Sequence, residues 1–427
     1  MISNVQPDNP DNTEEAINPV ISMIMLRMRT PLIILITVYA ITIVGLLLIP
    51  GVDDQGNTWR MSIFHALYYV SFTATTIGFG EIPYALNDSQ RLWVLCTIYM
   101  TVIAWLFAIG NILALFQNPI FKKALNENRF KNQVSKIHEP FYLICGLGET
   151  GYEVVKALTN EHYRVVVVEK DQESLLEANI HDLQEFVPCL IADASVPRHL
   201  QLAGISRDNC EGVIAATADD ETNLKIAISS KLLHPEGKVA CRSDLRAFEE
   251  NMRSFNTDHV VNPFRTFADI FSMLLHSPSL HLIFDWLTGA PESQITDEPL
   301  QINYGRWILC SYGRFGHVLY QKFLEHDVDV TILEPDETVY EEFKKDNTDQ
   351  AEDMVIGTGI DEKSLKIADI ENAIGIIAGG DDDSNNLSTI MTARQMNPEI
   401  FVVARQNLRH NSELFHKSNA DLVMQPR

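Results

Sequence analysis

The chain has 427 residues and a formal net charge of −24, from 33 Lys and Arg against 57 Asp and Glu. That balance excludes a nucleic-acid binder, whose affinity rests on Lys and Arg set against phosphates. Six cysteines (Cys96, Cys145, Cys189, Cys210, Cys241 and Cys310) form no Cys-x-x-Cys pair, so they read as reduced, packed thiols and exclude a zinc ribbon or a disulfide scaffold. The acidity is uneven. Residues 1–139 carry 9 basic and 10 acidic residues, and the remainder 24 and 47. Such acidity ordinarily serves solubility, and it is compatible with divalent cations as ligands.

In chain order, residues 1–19 are polar and mildly acidic, with Pro7, Pro10 and Pro19. They lack the basic start and apolar core of a signal peptide and read as disordered. Residues 20–28 predict a short interfacial helix. Residues 31–49 carry no charge, nor do residues 92–121, and each is long enough for the roughly 20 apolar residues of a membrane helix. Between them, 62–74 is apolar and aromatic but too short to cross, which suits a re-entrant half-helix. Non-helical backbone at membrane depth is tolerated only in protein or beside a watery cavity.

The pentapeptide Thr76-Ile77-Gly78-Phe79-Gly80 follows that half-helix. A potassium filter replaces an ion's water with rings of backbone carbonyls. Carbonyls can face one axis only if some residues reach backbone angles that glycine supplies, and Gly78 and Gly80 alternate as required. Thr76 adds a hydroxyl oxygen. Arg27 and Arg29 precede the first span, and Lys122, Lys123, Arg129, Lys131 and Lys136 follow the second. The intervening loop holds Arg60 and Arg91 beside Asp53, Asp54, Glu81 and Asp88. The positive-inside rule then places both termini in the cytoplasm, with the loop carboxylates at the outer mouth, where they either concentrate cations or are plain solvated charges. No arginine-rich membrane helix marks a voltage sensor.

With its neighbours Thr75 and Glu81, this stretch resembles the filter of the two-transmembrane potassium channels. That filter reads TVGYG, with Ile77 here for Val and Phe79 for Tyr. In the second span Gly110 is either a bending point or a site of close helix packing. Phe116 is either a hydrophobic constriction or a lipid contact. Asn118-Pro119 ends or kinks the helix.

After a linker over 118–139, strands and helices alternate. Residues 141–145 form a strand candidate, Gly146-Leu147-Gly148-Glu149-Thr150-Gly151 follows, then a helix through 152–160 and a strand over 164–168 closed by Glu169. This is the dinucleotide-binding βαβ fingerprint in its proper context. The first glycine turns, the second admits phosphate, the third lets the helix pack, and Glu169 is placed to take ribose hydroxyls. The layout recurs with Ser311-Tyr312-Gly313-Arg314-Phe315-Gly316 and Glu334, and the offset from Gly148 to Gly313 equals that from Glu169 to Glu334. Later, Asn223 aligns with Asn386 at a slightly shorter offset. A long repeat with a two-residue slip signals a duplicated domain.

The glycine loop, Glu169, Ala192-Asp193-Ala194-Ser195, Thr217-Ala218-Asp219-Asp220 with Asn223, and Arg242 resemble the RCK domains, also called KTN or TrkA-N domains. The resemblance implies an α-helical membrane pore domain followed by two α/β Rossmann-like domains. It further implies a homotetramer over a cytoplasmic ring of eight such domains, in the cell inner membrane, gated by NAD(H) or an adenine nucleotide. Gly146, Gly148 and Gly151 would cradle phosphate, Glu149 and Thr150 would belong to the same nucleotide-binding loop, and Glu169 would hold ribose. Asp193 would lie near adenine, or serve as a turn residue. Thr217 would form the far lip. Arg242 would face the phosphates, or sit in a surface or interface salt bridge.

The second copy lacks the first glycine and the acid matching Asp193, so it reads as a structural partner or a binder of something else. Asp381-Asp382-Asp383 admits calcium, against the commoner solvated acidic loop. Residues 264–275 predict a helix leading to the connecting segment. Nothing equivalent follows the second copy, which is either minimal or truncated. The domains expected are a tail (1–30), pore (31–117), linker (118–139), and two RCK-like domains (140–290 and 291–427). A ligand-gated potassium channel, not an enzyme, is the expected function. The alternatives are a membrane-anchored regulatory subunit of a potassium transporter and an NAD-dependent oxidoreductase. The thirteen scattered histidines give the oxidoreductase no acid–base constellation.

Overall fold

A computed structural model describes residues 19–81, 84–177, 183, 185–288, 302 and 305–424. The expected disorder before residue 19 and the boundary near 290 lie outside the described residues. The chain divides into two compact units, one ending at Arg129 and one starting at Phe130.

In the first unit, helix α1 (Pro19–Leu48) runs unbroken through Pro31. The expected short helix over 20–28 and the first span are therefore one element, since apolar side chains on both sides of Pro31 favour helix and membrane helices tolerate proline. A small hairpin of β1 (Gly51–Val52) and β2 (Thr58–Trp59) follows. Asp53 builds its turn by accepting the N–H groups of Gln55 (2.9 Å) and Asn57 (2.7 Å). Helix α2 (Ile63–Ala74) starts where the Ser62 side chain accepts the His65 N–H, the usual chemistry of an N-cap. Helix α3 (Asp88–Gln117) opens on a capping box of Asn87 and Gln90. Both α1 and α3 are long and apolar enough to cross a membrane. They meet at Gly45, where a Cβ would lie 2.0 Å from the Trp93 indole, and Trp93 Nε1 donates to Thr42 O (3.1 Å).

Asn118 ends α3 in an extended conformation (ψ 122°) and caps the next helix, α4 (Pro119–Ser135), accepting the N–H of Ile120 at 2.9 Å. The second apolar run is thus broken at Asn118-Pro119 as expected, and much of the expected linker is helical.

The second unit holds two like domains. The first copy comprises β3 (Phe141–Cys145), α5 (Glu149–Asn160), β4 (Arg164–Glu169), α6 (Gln172–Glu177), β5 (Cys189–Ile191), α7 (Pro197–Leu202), β6 (Cys210–Ala215), α8 (Asp220–Leu233), β7 (Lys238–Arg242), α9 (Arg246–Ser254) and β8 (His259–Val261). Helices α10 (Pro263–His276) and α11 (Pro278–Thr288) follow. The second copy comprises β9 (Trp307–Cys310), α12 (Arg314–Glu325), β10 (Val330–Glu334), α13 (Glu337–Asp346), β11 (Met354–Ile356), α14 (Glu362–Ile367), β12 (Gly375–Ala378), α15 (Asp383–Met396), β13 (Phe401–Arg405), α16 (Ser412–Lys417) and β14 (Leu422–Met424).

Each sheet is six-stranded and parallel, in the orders β5-β4-β3-β6-β7-β8 and β11-β10-β9-β12-β13-β14. This is the doubly wound order whose ligand crevice lies outside the carboxyl ends of the central strands. Strands buried on both faces explain runs such as Val165-Val166-Val167-Val168, all buried. Helix α10 does not simply lead onward. Its apolar face (Phe264, Ala268, Phe271, Leu274) enters the second copy's core against Trp307, Phe315, Leu319 and Phe323.

Candidate functional site

Two sites follow from this frame. In the first, α2 ends at Thr75, whose hydroxyl donates back to Ser71 O (2.8 Å). The chain then takes left-handed angles at alternate residues: Thr76 (φ 62°), Gly78 (φ 67°) and Gly80 (φ 94°). Alternation of hand is what turns successive carbonyls toward one side. The two glycines were legible for this role. Thr76 was not, because a β-branched residue in that region carries strain of about 1–3 kcal/mol. Ile77 and Gly78 both donate to Phe72 O (2.9 and 3.3 Å), which ties the loop to its helix. The Phe79 ring stacks on Tyr68 and lies edge-on to Phe72.

Glu81 differs from the expectation of a free outer charge. It takes a two-pronged bond from Arg91 (3.0 Å each) and the Leu86 N–H (3.0 Å). The guanidinium beside it holds the Glu81 carboxyl below the ordinary range. Glu81 therefore fastens the far end of the loop to α3. A Cβ at Gly110 would meet nothing within 4 Å, so close packing within the chain does not account for this glycine, while Gly45 is a tight contact that hydropathy could not single out. Phe116 is exposed and sets its ring edge-on to Phe121.

The second site is the glycine loop between β3 and α5. Gly146 has φ 95°, and a Cβ there would press on the Thr217 backbone at 2.9 Å. A Cβ on Gly151 would sit 2.1 Å from the Gly146 carbonyl oxygen. At Gly148 it would meet nothing within 4 Å. Two glycines are thus needed by the fold, and the middle one leaves open space above the start of α5. Gly148 is the N-cap of that 12-residue helix, whose first residues are Glu149 and Thr150. The first N–H groups of a helix have no partner within it and favour anions.

Glu169 sits buried at the end of β4. One carboxylate oxygen accepts the Leu147 N–H and the other the Asp171 N–H (2.8 Å). Asp193 makes a turn by accepting the Ser195 N–H (2.9 Å), with Lys170 Nζ at 4.0 Å. Hydrogen bonds from Ser195, and more weakly the charge of Lys170, hold its carboxyl below the ordinary range. Thr217 is tied to buried Asn223, which accepts its hydroxyl (2.7 Å) and donates to the carbonyls of Thr217 and Arg242. Arg242 reaches the loop, donating to Thr150 Oγ1 (3.2 Å) while holding Asp244 (3.0 Å). Arg242 thus makes a local salt bridge and at the same time touches the glycine loop.

Three residues missed in the sequence complete the surroundings. Buried Asp244 also accepts from Arg314 (2.9 Å), the first residue of α12. Arg409 donates to Glu149 (2.6 Å) and lies over the Tyr152 ring. Both arginines reach the first copy from the second, 70 and 260 residues away in sequence from their acids, a separation no local pattern reveals.

The second copy's loop is built alike, with Gly313 nearly as open as Gly148, but carries different side chains. Ser311 takes φ 81° where Gly146 stands. Phe315, buried, replaces Thr150, and Arg405 lies over Phe264 and Phe315 while bonding Asp381 (2.5 Å). Asp381, Asp382 and Asp383 do not converge. Asp382 caps α15 through the Asn385 N–H, and Asp383 accepts from Asn407, Leu408 and Asn411. Among the described residues no three His, Cys, Asp or Glu gather to hold a metal.

Comparison with known proteins agrees with this layout. An ion-channel family model matches residues 32–118, and the TrkA-N domain model matches 142–263 and 307–426. The chain is 24% identical over 201 residues to potassium channel protein 1 of Methanocaldococcus jannaschii, covering 47% of this chain and 59% of that one. It spans 34% to 59% of the length of the first curated relatives it matches. Its fold is that of the GsuK channel bound to ADP (17% identity, TM-score 0.51, 95% of this chain and 96% of that one). It is likewise that of the GsuK channel bound to NAD (16%, TM-score 0.51, 96% and 82%). With more than half of its residues in two matched copies, the chain belongs to the TrkA-N domain proteins, and carries an ion-channel domain ahead of the pair.

Proposed function

We propose that the chain is the subunit of a potassium channel, opened or closed by a nucleotide held in its first TrkA-N copy. The observation that carries the reading is the alternation of left-handed backbone at Thr76, Gly78 and Gly80, set after a capped half-length helix between two long apolar ones. Four such loops about an axis would offer stacked carbonyl rings to a dehydrated K⁺. The subunits would form a homotetramer in the lipid of the inner membrane, with both termini cytoplasmic and eight TrkA-N copies in a ring.

The nucleotide's phosphates would lie over Gly146, Gly148 and Gly151, at the first turn of α5 beside Glu149, Thr150 and Arg242. Each oxygen of Glu169 keeps a second lone pair for a ribose hydroxyl, and Asp193 and Thr217 would border the base. NAD(H) or an adenine nucleotide fits this site, in keeping with the ADP and NAD named for the structurally similar GsuK. The separate engagements of Asp381, Asp382 and Asp383 give calcium no support there. The function is ion conduction without chemical turnover. The reading of a poreless regulatory subunit is disfavoured by the ion-channel match, and the oxidoreductase reading still has no acid–base constellation.

The ligand shifts gating only through different affinity for two states. The test is potassium and sodium flux through liposomes holding the protein alone, with and without NAD, NADH, ADP or ATP. Potassium flux well above sodium flux, changed by one of these nucleotides, is the expected result. Equal passage of the two ions overturns the pore assignment, and indifference to all four nucleotides overturns the gating.

A further inference from the structure

A nucleotide can act on the pore only if the helix following α3 is held to the domain that binds the nucleotide. Phe130 and Val134, in the last turns of α4, are buried in the first copy's core. The carbonyls that close a helix have no partner within it and carry the negative end of its dipole. Here Arg207 donates to Val134 O with one guanidinium nitrogen and to Ile137 O with another (2.6 Å). Asn209 adds bonds to Ile137 O (3.2 Å) and Glu139 O (2.8 Å). Gly204, at φ 86°, leaves room for Val134, whose Cγ1 a Cβ would approach to 2.9 Å.

The repeat supplies a second observation. Ile205 matches Ile370 at the same offset as the two glycine loops, and each donates to the leucine five positions before it. Gly212 matches Gly375 at the shorter offset of Asn223 and Asn386, and these glycines pair with the corresponding first-strand residues Tyr142 and Trp307. The first copy's two extra residues therefore fall between Ile205 and Gly212, the stretch that carries Arg207 and Asn209. The ladder of β3 with β6 shifts register there, between Phe141 and Tyr142. The second copy closes its shorter turn on itself, Asn372 donating to Asp369 (2.8 Å).

β6 begins directly after this turn. Just past its far end, Ala216 donates to Cys145 O (2.8 Å), and Thr217 packs on Gly146. One six-residue strand, about 20 Å long at the usual rise, has the grip on α4 at its start and the glycine loop at its end. We infer that Arg207, seconded by Asn209, is the positioning residue that fastens the pore-linked helix to the nucleotide domain, and that the two-residue insertion in the first copy exists for this grip. The inference rests on the nucleotide-gating reading above.

The test is Arg207→Gln in the full chain, in liposomes, with ADP and NAD at saturation and binding followed on the same preparation. The wild-type ratio of flux with and without nucleotide is measured first. A ratio of one there sinks the gating reading itself, whatever Arg207 does. If the wild type responds, the variant is expected to bind nucleotide and conduct potassium, but to lose about 5-fold or more of coupling, the lower end of typical values. Arg207→Lys, which keeps the charge but reaches one carbonyl, should fall between the two. A wild-type ratio in Arg207→Gln overturns the inference. Should that variant fail to assemble, Arg207→Lys and Asn209→Ala decide: a reduced ratio with binding intact supports the grip, and an unchanged ratio in both overturns it.

Discussion

The two glycine loops share a backbone and differ in what stands on it. Gly148 and Gly313 have the same angles (φ −67°, ψ −167°). A Cβ on Gly151 or Gly316 would collide with the carbonyl of Gly146 or Ser311 at 2.1 or 2.2 Å. Glu334 accepts the Tyr312 and Asp336 N–H groups, as Glu169 does those of Leu147 and Asp171. An acid at the end of the second strand is therefore kept in both copies to hold the loop, and its presence alone says little about ribose. The difference lies one residue inside the helix. Thr150 accepts from Arg242, whereas Phe315 is buried under Arg405 and Phe264. Tyr312, packed among His317, Tyr320 and Phe343, has its phenol pushed up to about 12 by burial. Both loops leave room at the middle glycine: a Cβ on Gly148 would meet nothing within 4 Å, and one on Gly313 only Ser311 Oγ at 3.9 Å. The contrast therefore lies in the polar pair of Thr150 and Arg242 in the first copy against the buried Phe315 of the second.

The strongest way to break this contrast is Gly151→Val against Gly316→Val. Each overfills a tight loop and should cost about 3 kcal/mol of stability, read from denaturant midpoints. Only Gly151→Val is expected to abolish nucleotide binding, and equal losses in both would make the copies functional equals. Gly148→Val adds bulk where nothing stands. It should leave the fold and the potassium flux in place and remove the nucleotide response, so an unchanged response in that variant rejects the site. Arg242→Ala should weaken ADP by about 10- to 100-fold, the worth of a hydrogen bond to a charged group, while calorimetry on Arg405→Ala should find wild-type affinity. Smallest is Ser311→Gly. It relieves a left-handed serine but adds entropy to the unfolded chain, so thermal unfolding should show a gain under about 1 kcal/mol and no new nucleotide site.

Both halves of the repeat were legible because apolar strands, glycine spacing and the acids at 169 and 334 obey short-range rules. The half-helix and the break at Asn118-Pro119 were legible for the same reason, while the Ser62 cap emerged only from the fold. The partners of Glu149 and Asp244 were not, since Arg409 and Arg314 arrive through the packing of one copy on the other. Nor was the left-handed Thr76, where the bonds of Ile77 and Gly78 to Phe72 override a local preference. The acidic triplet at 381–383 suggested a cluster because sequence shows adjacency and not direction. In the fold, one carboxylate meets Arg405, one caps α15, and one is spent on the loop after β13.

The placement of α10 bears on how the chain is made. Its aromatic face belongs to a core that does not exist when the helix leaves the ribosome, because Trp307 and Phe323 come later in translation. At about 5–20 residues per second, Phe264 and Phe271 would wait on the order of a few seconds for α12, in a nascent chain already tethered to the bilayer. During that interval the exposed helix is a natural target for a holding chaperone, and a ribosome stalled between the two copies would leave a sticky product rather than a finished single domain.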